Sequence, residues 1–241
     1  MGNFRSEKKR GMRLTTERDL IKKRLMNRSM LLVLILIVVL GLGLACTMQT
    51  AFAKSEDLRD TLLTQARLAI SGVNTSHIPE LTATQADLTS PSYQELKARL
   101  VEISAAQPLS RFAYLIRRNP DGTVIFLVDS EQPGVKGYSP PGQEYPEAST
   151  LTLQVFHTGR EMLVGPASDR WGTFVSGLIP IKDDESQNVI AVFGLDINAG
   201  DWNQRVMASA LIPALMTLLI VIIIIFFMVL NHRSEEENRQ I

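Results

Sequence analysis

Asp169-Arg170-Trp171 sets a carboxylate, a guanidinium and an indole side by side, just ahead of a strand-like run that begins at Gly172. In a binding site, Arg170 holds a ligand carboxylate through two parallel N–H bonds. Trp171 stacks over an apolar or cationic part of the ligand, and Asp169 supplies an anion. The triplet equally suits a turn in which Asp169 pairs with Arg170 and Trp171 packs inward, and the residues alone leave both readings open. Asp196 lies in Gly194-Leu195-Asp196-Ile197. Strand side chains alternate between faces, so with Leu195 and Ile197 on one side Asp196 points to the other. A buried carboxylate there needs a partner such as a ligand ammonium or Arg170. Tyr114 and Asp129 fall on a predicted hairpin, where Asp129 also has Arg117 and Arg118 within cross-strand reach. Tyr138 and Tyr145 fall in a proline-rich loop suited to closing over a pocket. These eight residues are the candidate ligand-binding set, each with core packing, loop anchoring or an internal ion pair as its alternative.

No arrangement for catalysis stands out. His77, His157 and His232 are scattered, and the chain has no HExxH, no glycine-rich phosphate loop and no GxSxG. Ser176-Gly177 reads as a packing position. Cys46 is the single cysteine, which excludes an internal disulfide and a CxxC metal or redox site. The expectation is a chain without catalytic residues, metal ligands or cofactors. With 25 basic and 25 acidic residues in 241, bulk charge does not point to nucleic acid.

What must position the candidates is set by two apolar runs. Residues 30–50 carry no charged side chain, and neither do residues 206–230. At about 1.5 Å per helical residue each run spans the ~30 Å hydrocarbon layer. Residues 1–29 hold ten Lys/Arg against three acids, whereas residues 50–205 hold 13 basic and 19 acidic residues. The basic flank stays cytoplasmic, so a two-pass inner- or plasma-membrane protein is expected. Both termini (1–29 and 231–241) then lie inside and residues 51–205 outside. Three alternatives bear on the first run: signal-peptide cleavage at Ala51-Phe52-Ala53, a loose lipoprotein box ending at Cys46, and myristoylation at Met1-Gly2. The longer apolar run and basic region favour a membrane pass. Gly41-xxx-Ala45 and Ala210-xxx-Ala214 permit close helix contact and favour a homodimer, and Pro213 predicts a kink.

Between the passes, Leu58, Leu62, Ala66, Ala69 and Ile70 recur at helical spacing over residues 54–73. Ser90-Pro91 caps and starts a second helix with Leu96, Leu100 and Ile103 on its buried face. Residues 111–118 and 123–130 form a hairpin around Asn119-Pro120-Asp121-Gly122. A Pro/Gly-rich loop follows, then a short helix over 148–157 ended by Gly159. Strands come next near 161–164, at 172–182 and at 188–197. This order predicts an α+β domain on an antiparallel sheet.

The blocks ADLTSPSYQELKARLVEI, YLIRRNPDGTVIFLVDSE, YSPPGQEYPEAS, GPASDRWGTFVSGLIPI and VIAVFGLDINAGDW occur in this order. Together they resemble the extracytoplasmic PAS-like Cache-type sensor region of bacterial and archaeal membrane receptors, over about residues 55–205. The resemblance implies a five- or six-stranded antiparallel sheet with a long amino-terminal helix and a ligand pocket on one sheet face. It also implies that a small amine- or carboxylate-bearing ligand is sensed for a cytoplasmic histidine kinase or diguanylate cyclase module, as in two-component signalling. In amine-binding Cache relatives a late-strand aspartate, here matched by Asp196, holds the ligand. Such receptors continue into signalling domains, whereas this chain reads to Ile241, so it is expected to be either truncated or to signal through a partner. The other function class is a membrane-anchored structural or protein-interaction domain with no small-molecule ligand.

Overall fold

The computed structural model describes residues 3–237, and the side chains of residues 30–231 and 233. Met1-Gly2 and residues 238–241 lie outside the described residues. The chain divides into two units: Phe52–Met207, and the apolar helices with Met1–Ala51 and Ala208–Ile241.

In the first unit, Pro91 opens helix α2 (Pro91–Ala106) and the Ser90 side chain accepts the Tyr93 N–H, as the Ser-Pro signal requires. Strands β1 (Ser110–Arg118) and β2 (Val124–Asp129) form the expected hairpin. Its turn is closed by Gly122 N–H to Asn119 O at 2.9 Å, with Gly122 at φ 94°. Helix α3 (Thr150–Thr158) ends at Gly159 in the left-handed region. Strand β3 (Met162–Asp169) runs further than expected, and β4 (Gly172–Lys182) and β5 (Val189–Asn198) follow. Asp169-Arg170-Trp171 therefore make the β3–β4 turn. Two 3-10 turns, Thr75–Glu80 and Gln85–Thr89, have no periodic signal in the sequence. The segment between them is held by Asp87, whose carboxylate accepts the Thr82 N–H at 3.0 Å and the Ala83 N–H at 2.7 Å.

The five strands form one antiparallel sheet in the order β2-β1-β5-β4-β3. One face is covered by the last turns of α1 (Asn3–Ser71) and by α2. Leu62, Ala66, Leu96 and Leu100 bury against Leu115, Phe193, Leu195 and Ile197. Gly177 makes room for this: a Cβ there would sit 3.2 Å from Leu62 Cγ. The opposite face carries Phe112, Tyr114, Phe126, Phe174 and Leu178 under α3. The loop between β2 and α3 lies along the free edge of β2, with Phe126 N–H to Gln143 O at 2.9 Å and Tyr145 N–H to Val124 O at 2.8 Å. One sheet edge is thereby covered.

The other unit holds the apolar part of α1 and most of α4 (Ala199–Glu237). Both helices are long and apolar enough to cross a membrane. Half-covered positions recur every three or four residues, at Leu32, Leu36, Val39, Gly43 and Thr47 on α1 and at Pro213, Thr217, Val221, Ile224 and Met228 on α4. That is the spacing of two helices packed along a seam. The close contact is made by Gly43, where a Cβ would fall 2.2 Å from Thr217 Cγ2, and not by Gly41, which has nothing near it. A two-residue shift along the helix carries Gly41 to another face, so the Gly41–Ala45 pair stays uncovered. α4 continues helical through Pro213, and the Thr217 hydroxyl donates to Pro213 O at 2.8 Å.

Candidate functional site

Leu195 and Ile197 enter the helix-covered core, so Asp196 points to the other face and is buried there. Its position in register is opposite Ser176 on β4 and Phe112 on β1. Tyr114 donates its hydroxyl to Asp196 Oδ1 at 3.1 Å, and the Ser176 hydroxyl bonds to the same carboxylate. Gly194 permits this geometry: the Tyr114 ring lies across it, and a Cβ at Gly194 would come within 2.2 Å of Tyr114 Cζ. Burial pushes the Asp196 carboxyl up to about 7; the two hydroxyl bonds pull it down and the nearby Asp169 charge pushes it up. The Tyr114 phenol is held well above its ordinary value, chiefly by burial and then by Asp196. No cation pairs with Asp196 among the described residues, so the partner expected at Arg170 is replaced by neutral hydroxyls.

Above Asp196 the rings of Tyr114, Phe126, Tyr145 and Trp171 meet. Phe126 lies 5.6 Å from Tyr114, 5.3 Å from Tyr145 and 5.5 Å from Trp171, the last edge-on. These rings and the carboxylates of Asp129, Asp169 and Asp196 line one cleft, together with Phe112, Gly137 and Ser139. The cavity volume is about 20 Å³, room for about one water molecule. A second hollow shares Tyr114, Tyr145 and Asp169 with it and is lined by hydroxyls of Ser149, Thr152, Ser168 and Ser176 and by Glu147. Gly137, Ser139 and Tyr145 of the cleft belong to the β2–α3 loop, and Asp169 and Trp171 to the β3–β4 turn.

Asp169 is anchored from within the turn: its Oδ1 accepts the N–H groups of Trp171 at 2.8 Å and Gly172 at 3.1 Å, and Tyr145 donates to Oδ2 at 3.3 Å. Arg170 does not line the cleft. Its Nε and Nη2 reach Glu147 at 2.8 and 2.7 Å, while the guanidinium stacks 5.0 Å from the Trp171 ring. The internal pairing of Arg170 with Asp169 is thus replaced by one with Glu147, because the turn spends Asp169 on backbone N–H groups. Asp129 does not pair with Arg117 or Arg118. Lys97 of α2 donates to its Oδ1 at 2.9 Å and Ser139 N–H to its Oδ2, since Asp129 sits at the far end of β2 from those arginines. Burial raises the Asp129 carboxyl, against the lowering effect of Lys97. Tyr138 is outside the cleft, with Lys97 Nζ 5.1 Å from its ring centroid.

Sequence reasoning brings Asp196, Asp169, Trp171, Tyr114, Tyr145 and Asp129 to one cleft and misses Phe126, Ser176, Glu147 and Lys97. Lys97 carried a signal: with Tyr93, Leu96 and Leu100 it sits at i, i+3, i+4 and i+7 spacing, on the buried face of α2. Ser176 had none until the β4–β5 register placed it opposite Asp196.

Fold and site together define an α+β domain, joined in sequence to two apolar helices, with an acidic, aromatic-lined cleft on the sheet face away from α1 and α2. No family model and no curated protein matches the chain. Among solved structures, the sensory domain of the Campylobacter jejuni chemoreceptor Tlp3 aligns with TM-score 0.46 and 14% identity, over 70% of this chain and 66% of that one. The ligand-binding domain of Tlp3 in complex with 4-methylisoleucine aligns with TM-score 0.46 and 14% identity, over 69% and 63%. The periplasmic domain of RsbU from Chlamydia trachomatis aligns with TM-score 0.33 and 17% identity, over 66% and 56%. The matches span less than two thirds of each of these solved chains.

Proposed function

We propose that the chain is a two-pass membrane sensor of the Cache type whose domain between the passes lies outside the cytoplasmic membrane and binds a small ammonium-bearing ligand. The carrying observation is Asp196: a fully buried carboxylate on an aromatic-lined cleft, bonded among the described residues only to the hydroxyls of Tyr114 and Ser176. A buried carboxylate without a cation is costly, and a ligand ammonium between Asp196, Asp169 and the ring faces relieves that cost. Arg170 is occupied by Glu147, which leaves the cleft without a free cation for a ligand acid group among the described residues.

Occupancy favours one packing of the sheet and its loop, and α1 and α4 carry the difference to a cytoplasmic kinase or cyclase module. The basic residues 1–29 against the acidic residues 50–205 support the inward orientation of both termini. A homodimer is the proposed assembly, with Gly41 and Ala45 uncovered for it. The test is a thermal-shift titration of the full chain in detergent with butylamine, norvaline and butyrate. Butylamine is expected to raise the midpoint of the parent and not of Asp196→Ala, and butyrate to do neither. A flat response to all three, with a stable dimer, would favour the structural-domain class. Maleimide labelling of Ser186→Cys in a Cys46→Ser background tests the topology: labelling only after cells are opened would place the domain inside and remove the sensor reading.

A further inference from the structure

The pair Arg170–Glu147 joins the β3–β4 turn to the loop that walls the cleft. Both side chains are solvent-exposed at the rim, yet the geometry is the two-pronged fork of a guanidinium on a carboxylate. Arg170 also reaches Glu144 O at 3.4 Å, so the loop is gripped on both sides of Tyr145. Tyr145 in turn borders both hollows and donates to Asp169, and Glu147 itself borders the second hollow. A carboxylate from the protein thus occupies the guanidinium stacked on Trp171 of the cleft, Arg111 beside Phe112 is likewise paired with Glu131, and the cleft keeps three carboxylates and no free cation among the described residues.

We infer that Glu147 is a built-in stand-in for a ligand carboxylate: by filling the fork of Arg170 it sets the selectivity of the cleft toward amines that lack an acid group. The inference rests on the ammonium-site reading and adds its specificity-determining residue. A ligand with both groups, such as an α-amino acid, must bring its own carboxylate against the acidic lining while Arg170 is already engaged. Once Glu147 is removed, Arg170 is a free, planar cation beside Trp171 and accepts that carboxylate. Glu147 acts through Arg170 and is a positioning residue.

The experiment uses the full chain in detergent and two probes that differ by one carboxylate, norvaline and butylamine, titrated calorimetrically. The readout is the ratio of their affinities, because loosening the loop alone changes both probes together. Glu147→Ala is expected to raise the norvaline-to-butylamine ratio about tenfold or more, the worth of a charge-assisted pair. Arg170→Gln breaks the same rim contact without leaving a cation and frees the Glu147 carboxylate, so it is expected to leave the ratio at or below the parent's. An unchanged ratio in Glu147→Ala, or an equal rise in both variants, overturns the assignment. If butylamine binds no form of the protein, the ammonium-site reading fails. Norvaline capture by Glu147→Ala, absent from Arg170→Gln, would still support the role of Glu147, and its absence would overturn it.

Discussion

Replacing Asp196 by asparagine removes a titration and keeps the shape of the site. The Asp196 carboxyl stands at about 7 in the fold against 3.8 in the ordinary state, a rise of about 3 units. At about 1.36 kcal/mol per unit this corresponds to about 4 kcal/mol. The sign follows from proton binding. Between pH 4 and 7 the folded protein holds this proton and the unfolded chain has released it, so stability falls as pH rises through that window and levels off above about 7. Below pH 4 both states are protonated and the full contribution is present. From pH 5 to pH 8 the parent therefore loses about 3 kcal/mol that Asp196→Asn does not lose. At about 2 to 4 °C per kcal/mol for a protein of this size, the midpoint difference between variant and parent widens by about 6 to 12 °C. Trp171 at the cleft and Trp202 in the opposite core report the transition by fluorescence. Taking the difference between the two proteins cancels every other group, Asp129 included. If both midpoints ran parallel from pH 5 to pH 8, the buried, cation-free carboxylate would be refuted, and with it the physical basis of the ammonium site.

Four further outcomes follow from the same geometry. Butylamine affinity should fall about tenfold per pH unit below 7 and stay flat from 7 to 9, because the ammonium and the Asp196 proton exclude each other; calorimetric titration across pH measures it. Lys97→Met should cost about 3 to 5 kcal/mol by stranding Asp129, with much of the loss recovered when Asp129→Asn is added, as read by denaturant titration. Gly194→Ala should cost about 1 to 3 kcal/mol in melts and weaken amine binding, because its Cβ would overlap the Tyr114 ring and push the hydroxyl off Asp196. Arg67→Ala breaks a contact with Glu161 that is exposed on both sides and should change stability by less than about 1 kcal/mol.

Local signals settled much of the architecture. Ser90-Pro91, Asn119-Pro120-Asp121-Gly122 and Gly159 each act within a few residues, so the ends of α2, the β1–β2 turn and the end of α3 were legible without tertiary contacts. Two charge-free runs are legible for the same reason: hydrophobicity over some twenty consecutive residues is a property of the chain itself. The alternation around Asp196 also announced which way its carboxylate points. What the carboxylate meets there depended on register. Only the antiparallel pairing of β4 with β5 sets Ser176 across from Asp196, and only the bare backbone of Gly194 lets Tyr114 lie across to it. The partners of Asp129 and Arg170 were likewise tertiary choices, because Lys97 stands 32 positions from Asp129 and Glu147 stands 23 from Arg170. Charge, pattern and turn chemistry propagate over a few residues and are readable in order along the chain; ion-pair partners are chosen by folding segments that sequence distance keeps apart.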